Sequence, residues 1–164
     1  MNTGSLWAIT CYFNPVEYKS RLENYRVFRK HLAVPLVTVE WSLGPTFQLG
    51  SGDADILVQL HGWSLMWQKE RLLNIAVQHV PQTCECIAWL DCDVVFEEGD
   101  WAGRARAALD QYPLLRLFNK RYDLAREESI ERVSASDEAE EAFEGAAPLQ
   151  EVRSPGWHGL VVAI

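Results

Sequence analysis

Residues 87 to 93 read Ile87-Ala88-Trp89-Leu90-Asp91-Cys92-Asp93. The four apolar residues predict a buried strand, and two carboxylates follow at its carboxyl end. Because side chains alternate along an extended chain, Asp91 and Asp93 point the same way. In open α/β sheets ligands bind at the carboxyl edge of the strands, so this stretch predicts a core strand that ends in a binding site.

Two strand-helix units are predicted before this strand. The apolar run 6–13 predicts the first strand, and Asn14-Pro15-Val16-Glu17 predicts the start of a helix with Asn14 as its N-cap. The buried stripe of that helix is spaced by three or four residues and comprises Tyr18, Leu22, Tyr25, Phe28 and Leu32. The later elements are strands at 36–41 and 56–60 and a helix at 64–80 that Pro81 ends. This alternation predicts a layered α/β sheet with parallel strands and right-handed crossovers.

The pattern continues after Asp93 and is then interrupted. Residues 101–111 predict a helix and residues 114–118 a strand, whereas the acidic segment 119–150 predicts a mobile surface loop. The run 160–164 begins another strand on which the chain stops, and we expect a second half that has been cut short. The whole of 1–164 is therefore predicted to be one domain.

Composition excludes some classes of function. With 164 residues of which 48% are hydrophobic, the chain can bury an ordinary core. Its net charge of −8 argues against a nucleic-acid partner, although residues 127–145 carry eight acidic residues against Arg132 and so hold −7 of that total.

No apolar run reaches the ~18 residues of a membrane span, and the start lacks the order of a secretory signal, so a cytoplasmic location is predicted. The four cysteines are predicted to be free thiols, mostly buried.

Phosphates, if this chain binds them, need a binding device other than the common loops. Neither a Gly-x-Gly-x-x-Gly nor a Gly-x-x-x-x-Gly-Lys motif follows a predicted strand. Mg²⁺ or Mn²⁺ offers an alternative, because these ions commonly use one or two carboxylates together with substrate phosphates. Asp91 and Asp93 meet that requirement. The bare tripeptide is common by chance, and its place at a strand end is what favours the metal site.

Two stretches resemble a known family. The run 67–74 (Trp-Gln-Lys-Glu-Arg-Leu-Leu-Asn), followed by 88–93 (Ala-Trp-Leu-Asp-Cys-Asp), resembles the nucleotide-sugar-binding half of glycosyltransferases with the GT-A fold. The likeness covers most of 6–118 in element order. It implies a GT-A-like, Rossmann-type three-layer sandwich with a mostly parallel central sheet. It also implies a Mn²⁺- or Mg²⁺-dependent transferase that takes a sugar from a nucleotide diphosphate donor, with 1–118 as the donor half and 151–164 as the start of the acceptor half.

The resemblance also implies roles for individual residues. Asp93 would bind the metal directly, and Asp91 would contact the donor ribose or sugar and assist the metal. The other expected donor contacts are Thr10, Tyr12, Glu40, Asp55 and Lys69. Asp55, preferred over Asp53, would accept a hydrogen bond from a uracil-type base, which makes a UDP-sugar the expected donor.

Several of these positions have an ordinary structural interpretation as well. Asn14 is explained as a helix cap, and Tyr12 as a core residue. Lys69 lies beside an apolar stripe, so it either extends to water along the sheet edge or pairs with Asp91 or the donor phosphates.

His158 is a possible third metal ligand and, with Trp157, a candidate for the acceptor pocket. The catalytic base is unassigned, with Glu144 and Glu151 as candidates.

Two other functions compete with a transferase. Asp91-Cys92-Asp93-Val94-Val95 also resembles the nucleophile loop of haloacid-dehalogenase-like phosphatases, but that loop normally follows the first core strand. The third interpretation is a shortened domain that binds a nucleotide sugar, or keeps only the fold, and serves as an interaction module. The early end of the chain favours this interpretation.

Overall fold

The computed structural model describes residues 5–63, 65–66 and 68–118, and the backbone of 159–162. Within these ranges the elements follow in the order β1 (Ser5–Phe13), α1 (Lys19–His31), β2 (Leu36–Ser42), β3 (Ile56–His61), α2 (Lys69–His79), β4 (Cys84–Trp89), α3 (Trp101–Leu109), β5 (Leu114–Arg116) and β6 (Gly159–Val162). None of the helices in these ranges is long and apolar enough to cross a lipid bilayer.

The six described strands form one sheet in the order β3-β2-β1-β4-β6-β5, and every neighbouring pair is parallel. Strand β1 lies between β2 and β4, with Ala8 opposite both Leu36 and Ala88. The predicted α/β class with a mainly parallel sheet is therefore confirmed. Strand β2 is buried along nearly its whole length, as expected for a parallel strand covered on both faces.

Helices cover both faces of the sheet, which gives the three layers of a Rossmann-like sandwich. On one face Tyr25 and Phe28 of α1 and Trp101 of α3 pack with inward residues of β1 and β4. On the other face Leu72 and Leu73 of α2 pack against residues of β1 and β2. We call these the α1/α3 face and the α2 face. Alternation along β1 sends Tyr12 to the first face and Cys11 to the second.

The first helix begins later than the cap signal predicts. Helix α1 starts at Lys19, and Tyr18, which was expected on the buried stripe, is 61% exposed. The reason is Asn14, whose side chain accepts a hydrogen bond from Tyr18 N (3.0 Å) and donates one to Tyr18 O (3.0 Å). These bonds close residues 14–18 into a turn, in which Glu17 has a φ of 55°.

The second helix is also shorter than predicted, since α2 starts at Lys69 instead of Ser64. The residues before it connect the end of β3 to a helix that lies over β1 and β2. Gly62 begins this connection against the Trp41 ring, where an added Cβ would lie 2.0 Å from the nearest ring atom. Met66, which the longer helix would have included, is 76% exposed. Strand β4 begins three residues before the predicted start, because Cys84 pairs with Ser5.

Candidate functional site

The sheet has a topological switch point between β1 and β4. From β1 the chain moves outward through α1 to β2 and β3, then returns across the sheet through α2 to β4. After β1 the chain leads to β2 on one side, and after β4 it leads to β5 on the other, so the two connections leave the carboxyl edge in opposite directions. In open α/β sheets the crevice at such a switch point is where ligands bind. Asp91 and Asp93 follow β4 at this position.

Lys69 pairs with Asp91. The lysine is the first residue of α2, and its ammonium contacts the Asp91 carboxylate, with the two side chains 15% and 33% exposed. A cation at the amino end of a helix opposes the helix dipole, so it needs a compensating anion. Of the interpretations that the sequence left open for Lys69, the structure shows the pair with Asp91.

Asp93 is the more available of the two carboxylates. Its side chain is exposed, and no other side chain in the described ranges forms an ion pair or hydrogen bond with it. Partial burial raises the pKa of the Asp93 carboxyl, the neighbouring Asp91 carboxylate raises it further, and Arg21 and Lys69 oppose both effects. The strand end therefore concentrates negative charge that a cation would relieve.

Asp91 and Asp93 can hold a divalent cation such as Mg²⁺ only if a bound ligand supplies further oxygen atoms. Two carboxylates offer oxygen atoms, which Mg²⁺ and Mn²⁺ prefer. Among the described residues no group of three or more His, Cys, Asp or Glu side chains is arranged to hold a metal. Asp91 and Asp93 would thus fill a minority of the coordination positions. The phosphate oxygens of a bound ligand and water would supply the others, which is the usual arrangement for Mg²⁺ with nucleotides.

No role was predicted for Arg21 from the sequence. Its positive charge opposes the rise in the pKa values of Asp93, Cys92 and Cys11, so this exposed residue acts electrostatically on the ends of β1 and β4. The signal available in the sequence was its place in the first turn of a helix that begins at the carboxyl edge. Arg21 on α1 and Lys69 on α2 thus supply positive charge from helices on opposite faces of the sheet.

The two cysteines beside the carboxylates are poor metal ligands. Burial raises the pKa of the Cys11 thiol to about 11 and that of the Cys92 thiol to about 12. Because of these raised pKa values, both side chains are neutral thiols near pH 7. Metals bind the thiolate form, so neither thiol is a ready ligand. All four cysteines are free; Cys86 and Cys92 are buried, and Cys11 and Cys84 are partly buried.

Tyr12 is a core residue instead of an open stacking surface. It is 1% exposed and packs edge-to-face against Tyr25 with ring centroids 5.2 Å apart. Its hydroxyl donates to Gln48 Oε1 (2.7 Å), and Asn14 Nδ2 donates to the same oxygen (2.8 Å). The cleft beside this network, between the loops that follow β1 and β2, measures about 40 Å³. A nucleotide pocket needs several hundred Å³, so these loops would have to open before Tyr12 could contact a base.

Glu40 was expected near the donor base or ribose, but both of its oxygens bond to the protein. The side chain is 2% exposed. Its Oε1 accepts a hydrogen bond from Gln48 N (2.6 Å) and its Oε2 one from Gln59 Nε2 (2.9 Å), while Leu49 N lies 3.3 Å from each. Glu40 therefore anchors the loop that follows β2.

Asp55 lies at the wrong edge of the sheet for a donor contact. It precedes β3 and accepts a hydrogen bond from Leu36 N (2.8 Å) at the start of β2. Its carboxylate also pairs with Arg29 (3.0 Å). These contacts are at the amino edge, whereas Asp91 and Asp93 are at the carboxyl edge. The structure does not bring Asp55 to the candidate site.

Thr10 is buried in the middle of the sheet, where no ligand reaches it. It is 0% exposed, and its hydroxyl has no hydrogen-bond partner among the described residues. The expected donor contact at Thr10 therefore has no support in the geometry. A buried hydroxyl without a partner costs stability, because its bonds to water are lost and not replaced.

Replacing Thr10 by Val should accordingly raise the free energy of unfolding by about 1 kcal/mol. Thr38 is the matched control: it lies opposite Thr10 in β2, and its hydroxyl shares a hydrogen bond with Tyr25 Oη (2.9 Å). Thr38→Val should lower the free energy of unfolding by about 1 to 2 kcal/mol. Urea denaturation of both variants gives the comparison. A loss of stability in Thr10→Val equal to that in Thr38→Val would show that Thr10 has a partner.

The remaining predicted residues lie outside the described part of the chain. They are the acidic segment 119–150, Glu144, Glu151, Trp157 and His158. Trp67, which belongs to the motif that resembles the transferases, is also outside it. Lys69 and Asp91 are therefore the predicted residues that contact each other, with Asp93 two positions along the chain and Arg21 acting on Asp93 through its charge.

Comparison with known proteins adds no relative. No model of a protein family matches this chain, and searches of curated proteins and of solved structures return no match.

Proposed function

We propose that this protein is a metal-dependent glycosyltransferase that moves a sugar from a nucleotide diphosphate donor, a UDP-sugar, to an acceptor. One observation carries the proposal: Asp91 and Asp93 follow the strand beside the switch point of a parallel α/β sheet. Ligands of such sheets bind at that position. Two carboxylates there, flanked by Lys69 and Arg21, suit a diphosphate that binds together with a divalent cation.

The chemistry of glycosyl transfer explains why the site needs both carboxylates and positively charged side chains. The sugar departs as an oxocarbenium-like species while negative charge builds up on the leaving diphosphate. A Mg²⁺ or Mn²⁺ ion held by Asp93 and Asp91 supplies Lewis-acid stabilisation of that charge. Lys69 and Arg21 supply further positive charge from the two faces of the sheet, and Asp91 is suited to orient the donor ribose or sugar. The protein mainly positions the donor and stabilises charge.

The acceptor side is left open in this proposal. An acceptor hydroxyl needs a base in an inverting reaction, and the candidates Glu144 and Glu151 lie outside the described residues. A donor-binding module without turnover is therefore the main competing function. The proposal includes a cytoplasmic location and a glycan, protein or small-molecule acceptor, with no nucleic-acid partner.

Donor binding is tested by thermal unfolding with Mn²⁺ or Mg²⁺ and a panel of UDP- and GDP-sugars. A donor at about 100 times its dissociation constant adds about 2.7 kcal/mol of stability, which corresponds to a rise in Tm of about 5 to 10 °C for a chain of this size. The shift should need the metal and disappear with EDTA. Release of free sugar from the same donor then separates a transferase from a binding module.

Two outcomes would contradict the proposal. One is the absence of a metal-dependent shift with every nucleotide sugar in the panel. The other is cleavage of a phosphomonoester such as p-nitrophenyl phosphate without nucleotide binding, which would favour a phosphatase.

A further inference from the structure

Four charged side chains at the carboxyl edge form a cluster in the electrostatic sense, since they act on one another through their charges, and their formal charges cancel. Asp91 and Asp93 are negative, and Lys69 and Arg21 are positive. A divalent cation that binds alone leaves this cluster with an excess of two positive charges. A donor diphosphate that binds alone leaves an excess of two negative charges. Only the two ligands together keep the cluster neutral.

Lys69 opposes metal binding in the ligand-free protein. Its ammonium contacts Oδ1 of the Asp91 carboxylate, and the two side chains are 15% and 33% exposed, so water screens the pair only in part. An ammonium and a divalent cation repel each other strongly at the distance that separates two ligands of one carboxylate. Repulsion therefore weakens metal binding at the second Asp91 oxygen while Lys69 stays, the metal binds more tightly once Lys69 leaves, and Lys69 needs another anion when it leaves.

We propose that Lys69 is an exchange residue that makes metal and nucleotide binding cooperative. In the ligand-free protein it neutralises Asp91. When donor and metal bind, its ammonium moves to the diphosphate oxygens and Asp91 becomes available to the cation. The flexible four-carbon stem of lysine permits this movement while α2 stays in place. The inference rests on the proposed function and deepens it, because it assigns a binding order to the same site.

The test measures two affinities in the wild type and in Lys69→Gln. Electron paramagnetic resonance of free Mn²⁺ gives the affinity for the metal alone. Isothermal titration calorimetry with UDP and GDP, with and without Mg²⁺, gives the factor by which the metal tightens nucleotide binding. In the wild type we expect a factor of about ten or more, a typical size for coupling between two ligands. In Lys69→Gln we expect this factor to fall at least about fivefold and Mn²⁺ alone to bind about fivefold more tightly.

Arg71→Gln is the matched control, because it removes the same charge two residues further along α2. Arg71 lies over the Trp41 ring, with its Cζ 5.8 Å from the ring centroid, and donates to Gln68 Oε1 (3.1 Å). This variant should keep the wild-type factor. Lys69→Arg, which preserves the positive charge, should restore most of it. Lys69→Met keeps the aliphatic stem and serves as a second neutral variant if the Gln variant unfolds.

The outcomes separate this inference from the proposed function. A neutral Lys69 variant with the wild-type factor and the wild-type Mn²⁺ affinity overturns the exchange role, while metal-dependent nucleotide binding still supports the proposed function. If the wild-type protein binds neither UDP nor GDP in a metal-dependent way, both proposals fail.

Discussion

Replacing Glu40 by Leu is expected to lower the free energy of unfolding by about 3 to 5 kcal/mol. The Glu40 carboxylate is 2% exposed and accepts hydrogen bonds from Gln48 N, Leu49 N and Gln59 Nε2. Leucine fills a similar volume but accepts no hydrogen bond. The Gln48 and Leu49 amides would lose their acceptor, at a cost of about 1 to 3 kcal/mol each before the loop relaxes, whereas the exposed Gln59 keeps its hydrogen bond to Leu49 O (2.9 Å).

Two further variants show whether this loss comes from the missing acceptor. Glu40→Gln keeps one side-chain oxygen for the backbone donors and faces Gln59 with an amide, so we expect about half the loss. Glu23→Leu removes an exposed glutamate from α1 and should change stability by less than about 0.5 kcal/mol. Urea denaturation measures all three, and hydrogen exchange should speed up at the Gln48 and Leu49 amides in Glu40→Leu. A loss below about 1 kcal/mol in that variant would contradict the anchoring role.

The order of strands and helices could be predicted from the sequence because each element has to bury a regular face. The Leu36–Ser42 strand is apolar enough to be buried on both faces, and α1 places Tyr25 and Phe28 one turn apart toward the sheet. Such periodicity is a local property of the chain. The parallel pairing follows from it, since strands joined by helices of this length pair in parallel.

The starts of the two longer helices could not be predicted, because distant residues determine them. Asn14 carries the local signal of a helix cap, but its amide also donates to Gln48, 34 residues further on. That contact stabilises a closed turn before α1. In the same way the chain from Gly62 onward must pass the Trp41 ring before α2 can begin.

Some residues of the candidate site could be predicted from the sequence and others could not. Asp91 and Asp93 could be located because their place depends only on the end of a buried strand. Glu40 and Asp55 are polar residues at strand ends as well, yet their partners are backbone amides and Arg29. A sequence does not reveal whether a polar side chain binds a ligand or a loop, because loops have no periodicity that would locate the partner.

Asp93→Asn is expected to weaken metal-dependent nucleotide binding at least about 100-fold. Residues that only orient a metal ligand typically contribute 10- to 100-fold in affinity, and a direct ligand should contribute no less. The variant keeps the shape of the side chain and removes only the charge. Titration calorimetry with UDP and GDP in the presence of Mn²⁺ measures the loss. Glu97→Gln, an exposed neutralisation in the same loop, is the control and should bind like the wild type.

The stability of Asp93→Asn distinguishes a binding role from a structural one. Because Asp91 and partial burial raise the pKa of Asp93, the folded protein disfavours the charged carboxylate, and its removal should leave the ligand-free Tm unchanged or slightly higher. The gain is expected to stay below about 1 kcal/mol, since solvent screens an exposed side chain. A structural residue would lower the Tm when replaced. Equal nucleotide affinity in the variant and the wild type would refute the metal site. Lost affinity with a preserved Tm would show that Asp93 serves binding and does not stabilise the fold.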